Sequence, residues 1–198
     1  MKDDFSSPEA IRSTLQRHGY EYDTIDALRT SGVRYKQAVP LLVSALGQVR
    51  DVNTQEAIVR ALSVPWAGPL AIPALLELFR RSDSSSDLRW AIGNAIDVVW
   101  DDRFFDQFVQ LAKDTRYGTA RQMIVHGMRS SRRPEAGEIL VGLLDDPDVS
   151  GHAVIALRRL KYAPARLALE TKLNDPRAWV RRAAKGALAA LDAAGARP

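Results

Sequence analysis

Five stretches, TQEAIVRAL (54–62), LRWAIGNAI (88–96), ARQMIVHGM (120–128), VSGHAVIAL (149–157) and VRRAAKGAL (180–188), align without a gap and decide the fold. Their starts are 34, 32, 29 and 31 residues apart. Counting the first residue of each as zero, position seven is always small: Ala61, Ala95, Gly127, Ala156 and Ala187. Position eight is always large and aliphatic: Leu62, Ile96, Met128, Leu157 and Leu188. On a helix of about 3.6 residues per turn, positions zero, four, seven and eight share one side. They form a buried stripe, and its small position lets a neighbouring helix come close.

A second amphipathic stretch precedes each of these: 38–46, 69–79, 103–112, 134–144 and 165–173. The unit is therefore helix, turn, helix, repeated about five times. Asp145-Asp146-Pro147-Asp148 and Asn174-Asp175-Pro176 supply the turns, with proline and capping carboxylates suited to a helix start. No run of alternating β-branched residues competes, so no sheet is expected. Residues 7–31 read as two further helices, the first opened by Ser7 as cap and Pro8 in the first turn. DAAGARP, at the C-terminal end, reads as a frayed tail.

The chain of 198 residues is long enough for one domain with a substantial core. Hydrophobic residues at 46% and charged ones at 26% set it apart from disordered chains. It has no cysteine, which excludes disulfides, thiolate nucleophiles and thiolate zinc sites. The opening MKDDFSSPEAIRSTLQ lacks the apolar core of a signal peptide, and no stretch is apolar enough to span a membrane. A cytoplasmic protein with no membrane partner is expected.

Charge is uneven. Residues 1–99 carry 11 Lys+Arg against 12 Asp+Glu, a net of −1, whereas residues 100–198 carry 17 against 12, a net of +5. The basic C-terminal half could serve a polyanion, although arginine-rich solvated helix faces are common in helical repeats.

The repeat resembles the HEAT family, including the short bacterial HEAT-like repeats of the phycobilin-lyase type. The second helix of that family typically reads Val-Arg-x-x-Ala-x-x-Ala-Leu after an Asp-Pro turn. Asp175-Pro176 followed by Val180-Arg181 and the rest of VRRAAKGAL is the nearest match, then Leu88-Arg89-Trp90-Ala91-Ile92. The resemblance covers about 38–191. It departs at Thr54-Gln55, where Val-Arg is usual, and at Val149-Ser150 and His152. It implies an all-α, right-handed α-solenoid of about five helix pairs over 37–191, a helical cap over 1–36 and a tail over 192–198, in a single domain.

In that family the second helices line the concave surface, so positions two, six and nine would face the concavity. The resemblance thereby marks Glu56, Arg60, Trp90, Asn94, Asp97, Gln122, His126, Arg129 and Arg158 as candidate partner-binding residues. Arg60, Asn94 and His126 would form one row, and Asp97, Arg129 and Arg158 another. An exposed tryptophan among arginine, asparagine and histidine suits an interface. The competing reading is a solvated polar face with Trp90 partly packed on a neighbour.

Catalytic signatures are absent from the sequence: no phosphate-binding glycine loop, no G-x-S-x-G and no H-E-x-x-H. No metal site or cofactor is expected from His18, His126 and His152 alone. His152 stands where Ala57, Ala91, Met123 and Ala183 stand elsewhere, and is expected to be packed and hydrogen-bonded. Asp101 and Asp102 are expected to cap the helix that starts near Arg103.

Three functions follow as expectations. The first is a non-catalytic scaffold gripping a protein or peptide. The second is nucleic-acid binding through Arg121, Arg129, Arg158, Arg159, Lys161, Arg181, Arg182 and Lys185, with resemblance to HEAT-like DNA glycosylases inviting attention to Trp90, Trp100 and Asp97 or Asp101. The third is kinship with HEAT-like phycobilin lyases, which act on tetrapyrroles.

Overall fold

Each of the five aligned stretches forms the buried side of a helical segment. In the computed structural model, which describes residues 3–81 and 83–195, positions zero, four, seven and eight are buried in every repeat except at Leu188, which is partly exposed. The described residues are helical, with no strand among them. None of their helices is long and apolar enough to cross a membrane.

The chain gathers into two compact units, residues 1–99 and 100–198. The first contains α1 (Pro8–Arg17), α2 (Ile25–Thr30), α3 (Val39–Gln48), α4 (Val52–Leu62), α5 (Gly68–Arg80) and α6 (Ser86–Val98). Side-chain caps open four of them. Ser7 accepts from the Ala10 amide with Pro8 at the helix start, Thr24 from Ala27, Asp51 from Thr54, and Ser85 from Leu88. Helices α3 and α5 pack together, α4 packs on both α2 and α6, and the hairpins α3/α4 and α5/α6 close on themselves. Ile58, Leu62, Ile92 and Ile96 fill the space so formed. Tyr35, just before α3, is also buried, with its hydroxyl donating to the Ala61 carbonyl at 2.9 Å.

The second unit contains α7 (Phe105–Lys113), α8 (Gln122–Gly127), α9 (Ala136–Gly142), α10 (Ser150–Leu160), α11 (Arg166–Thr171) and α12 (Ala178–Gly195). They pair as α7/α8, α9/α10 and α11/α12, and α10 packs against both α8 and α12. The third aligned stretch is more broken than its periodicity predicts. Residues Thr115–Arg121 are 3-10, α8 spans only Gln122–Gly127, and Met128–Ser130 are again 3-10. Gly118 at φ 49° interrupts the approach, and Gly127 weakens the helix it ends. At the other end α12 runs on to Gly195 with Leu191 buried, so residues 192–195 of the expected tail are helix. The alanine-rich run Ala187–Ala194 has the propensity to continue it. Residues 196–198 lie outside the described residues.

Candidate functional site

In four of the five repeats, position one helps build the elbow. The last carbonyls of a helix have no partner within it, and a donor reaching back can satisfy them. Buried Gln55 donates to the Val49 carbonyl at 2.9 Å, just beyond α3. Arg89 donates to Phe79 and Arg81 carbonyls at the end of α5. Arg121 donates to Ala112 in α7, and Arg181 to Asp175 and Pro176. The departure from arginine at position 55 therefore keeps the function of the position with a neutral donor.

In the second unit these elbows are also joined to one another. Arg121 is wholly buried and binds Asp146 at 2.7 Å and Asp148 at 3.4 Å. Burial raises the Asp146 carboxyl, but the hydrogen bonds from Arg121 and the Asp148 amide, with the Arg121 charge, outweigh it and hold the pKa below the ordinary carboxylate value. Gln122 donates to the Asp148 carbonyl at 2.8 Å. From the next elbow Arg177 reaches the Pro147 carbonyl and Ser150 Oγ, while pairing with Asp175. That pairing lowers the Asp175 pKa.

Two surface grooves collect most of the residues singled out from the sequence. In the first unit, Glu56, Arg60, Trp90 and Asn94 line a groove of about 480 Å³ with Ser63 and Asp87. Trp90 is 50% exposed there, so its indole is not absorbed into the core. Arg60 pairs with Glu56 one turn earlier, and the Asn94 amide donates to the Trp90 carbonyl. Asp97 stands in the last turn of α6, partly buried.

In the second unit, His126, Arg129 and Arg158 line a groove of about 500 Å³ with Ile155, Arg159 and Lys161. The Arg129 guanidinium approaches His126 Nδ1 at 2.8 Å. Gly151, at position two, is buried because Trp179 covers it. A Cβ at that glycine would lie 2.0 Å from the Trp179 ring. His152 packs edge-on against His126 and Trp179, its ring centroid 6.4 and 5.7 Å from theirs. Its burial, followed by the influence of His126 and Arg177, pushes its pKa down to about 4. Of the packed, hydrogen-bonded ring expected at position 152, the packing is what these contacts show.

Several expected assignments change. Arg121 cannot meet a phosphate, since it has no exposed side-chain surface, and Arg181 is engaged with backbone carbonyls. Asp101 caps the 3-10 turn at Asp102–Phe104 and pairs with Arg103, as its position before that arginine suggests. Asp102 accepts from the Trp100 indole and the Arg132 amide. Trp100 itself packs on Phe108 at 4.5 Å. Both carboxylates of this pair are thus engaged in local structural contacts. Arg60 and Asn94 of the expected row belong to the first unit and His126 to the second.

Ser63 and Ile155 stand at positions nine and six of their repeats, expected to face the concavity, and each lines a groove, whereas sequence reasoning passed over Asp87 in the first groove and Ala190 in the second. Lys161, named among the basic residues expected to meet nucleic acid, also lines the second groove. It follows the last turn of α10, at the place where helices commonly end on glycine. No protein-family model matches the sequence, and a search of curated proteins finds no match.

Proposed function

We propose that this chain is a HEAT-type helical-repeat module, a right-handed solenoid of about five helix pairs with an N-terminal helical cap, that binds a protein or peptide without catalysing a reaction. The stripe of positions zero, four, seven and eight supports the repeat, as does the recurrent donor at position one. The observation that carries the binding reading is Trp90. Large aromatics are costly to leave in water, and this one stands half-exposed between Arg60 and Asn94. Its indole face can cover an apolar side chain, while Arg60, Glu56 and Asn94 offer polar contacts around it. The cysteine-free sequence agrees with a reducing compartment such as the cytoplasm.

Selection of peptides from a random library on the purified protein tests this reading. Enriched peptides are expected to bind about tenfold or more weakly to Trp90→Ala, the loss that a central aromatic anchor gives. Failure of any peptide to enrich, or equal binding by a folded Trp90→Ala variant, overturns it. Nucleic-acid binding is the second reading, favoured by Arg158, Arg159, Arg182 and Lys185, all exposed on α10 and α12. It predicts affinity for DNA or RNA that falls steeply with salt.

A further inference from the structure

Some cations of the second unit have carboxylate partners and others have none among the described residues. Arg103, Arg116, Arg121, Arg166, Lys172 and Arg177 are each paired with a carboxylate of the same unit. Arg133 also has carboxylate partners, in Glu135 and Asp106. Arg158, Arg159 and Lys161 form no ion pair among the described residues, and all three are exposed. They stand together at the C-terminal end of α10 and share one groove with His126 and Arg129.

A helix C-terminus favours positive charge, which accounts for basic residues in the last turn of α10. It does not account for the form of this site. Lys161 has φ 52° and ψ 43°, left-handed backbone that a glycine adopts at lower cost. Of the described residues other than glycine, it is the one with positive φ. Backbone strain of this kind concentrates where a side chain has a use. Arg158, meanwhile, lies against Gly186 of α12. A Cβ there would sit 3.0 Å from its Nη1, so the bare backbone gives the guanidinium its seat. Between these charges the groove presents aliphatic surface from Ile155 and Ala190.

The geometry points to this groove as a receptor for an acidic peptide segment, one in which carboxylates alternate with aliphatic side chains. The proposal rests on the peptide-binding reading above and gives that partner its chemistry. Carboxylates meet Arg158, Arg159 and Lys161, whose guanidiniums and ammonium lack an internal counterion. An aliphatic side chain covers Ile155 and Ala190. Nucleic acid fits less well. The groove offers three cations without an ion pair, against roughly six to ten phosphate contacts in a strongly salt-dependent DNA complex. It has no Trp, Tyr or Phe among its lining residues on which bases could stack.

Fluorescence anisotropy on the full chain tests the idea with a short labelled peptide of interspersed Glu and Leu, its Gln-for-Glu counterpart, and single- and double-stranded DNA. The Glu peptide is expected to bind at low salt, to weaken as salt rises, and to exceed the Gln peptide by about tenfold or more. The Arg158→Glu/Arg159→Glu variant is expected to lose that binding. Lys161→Gly relieves backbone strain and so preserves the fold, and it is expected to bind several-fold more weakly. Equal affinity for the Glu and Gln peptides, binding unchanged in either variant, or DNA bound more tightly than the Glu peptide overturns the proposal. Library peptides that depend on Trp90 while the Glu peptide fails would sink this inference and leave the peptide-binding module standing. If neither binds, both fall.

Discussion

The two units solve the same elbow problem with different chemistry. In the first, Gln55 and Arg89 turn back on their own hairpins and satisfy carbonyls there. In the second, Arg121 and Arg181 do this, and Arg121 and Arg177 also reach the elbow of a neighbouring hairpin, through Asp146, Asp148, Pro147 and Ser150. One unit holds hairpin to hairpin mainly by apolar packing, and the other adds a ladder of charge-assisted hydrogen bonds. The repeat pattern thus fixes where a donor must stand. Whether that donor is neutral or charged decides how far it couples the hairpins.

The largest expected effect breaks that ladder. Arg121→Met removes the donor of the Ala112 and Gly118 carbonyls and leaves Asp146 with the Asp148 amide but no counter-charge from Arg121. Losing one partner of a buried pair typically costs about 3–5 kcal/mol. Asp146 retains some exposure and can recover water, so the lower end is expected. Gln55→Ala, at the matching place in the first unit, leaves one buried carbonyl unpaired and is expected to cost about 1–2 kcal/mol. Urea unfolding of both variants measures the difference. Equal losses would remove the distinction between the units.

A smaller contrast lies in the glycines at positions two and six of the second unit. Gly151→Ala drives a Cβ to 2.0 Å from the Trp179 ring, a clash that helix movement must relieve. Overpacking of this kind costs about 1–3 kcal/mol. At Gly186 the nearest atom is the movable end of Arg158, and alanine is the better helix former by roughly 1 kcal/mol. Gly186→Ala should therefore leave the melting temperature equal or higher, while Gly151→Ala lowers it. A drop for both would mean that the Arg158 seat is as rigid as the Trp179 seat.

These positions also mark what could be read from the sequence. The stripe was legible because burial at zero, four, seven and eight requires only hydrophobicity at helical spacing. Asp101 as a cap was legible because an acidic residue two before Arg103 has a local partner. Arg121 was not, since a buried arginine and an exposed one look alike until the carboxylates that neutralise it, 25 and 27 residues away, are brought beside it. Gly151 was unreadable for a similar reason: the side chain that needs its missing Cβ belongs to the next hairpin. Arg158 was marked for exposure and is exposed, Trp90, whose exposure the sequence left open, is half-exposed, and Gln122 turned its amide to the Asp148 carbonyl.

A third contrast is in pH. Position three of the first unit holds Ala57 and Ala91, while the second holds His152, which faces His126 and Arg177 and has a pKa near 4. Unfolded, the imidazole takes its proton near the ordinary 6.5. Between those values the unfolded chain binds more proton, so stability is full above about pH 6.5. It falls as pH drops through the window and levels off below about pH 4. With a discount for the partial exposure of the ring, the loss is about 1–2 kcal/mol. Unfolding free energies of wild type and His152→Ala across that window should converge as the medium becomes acidic. A constant gap would mean that the histidine titrates normally.

The smallest effect differs in sign between the units. Helix α4 ends at Ser63 with φ −77°, ordinary backbone for a serine, and α10 ends at Lys161 in the left-handed region. Glycine at position 63 gains nothing in the folded state and frees the unfolded chain, so Ser63→Gly should destabilise by about 0.5–1 kcal/mol. At position 161 the same freeing is outweighed by relief of a strain of about 1–2 kcal/mol, and Lys161→Gly should stabilise by a few tenths to about 1 kcal/mol. Paired thermal melts resolve a difference of opposite sign better than either shift alone. A stabilising Lys161→Gly would mean that the chain retains lysine at the mouth of the basic groove against its own folding preference. If glycine destabilises both sites, the lysine already earns its place through the fold, and the strain carries no argument for binding.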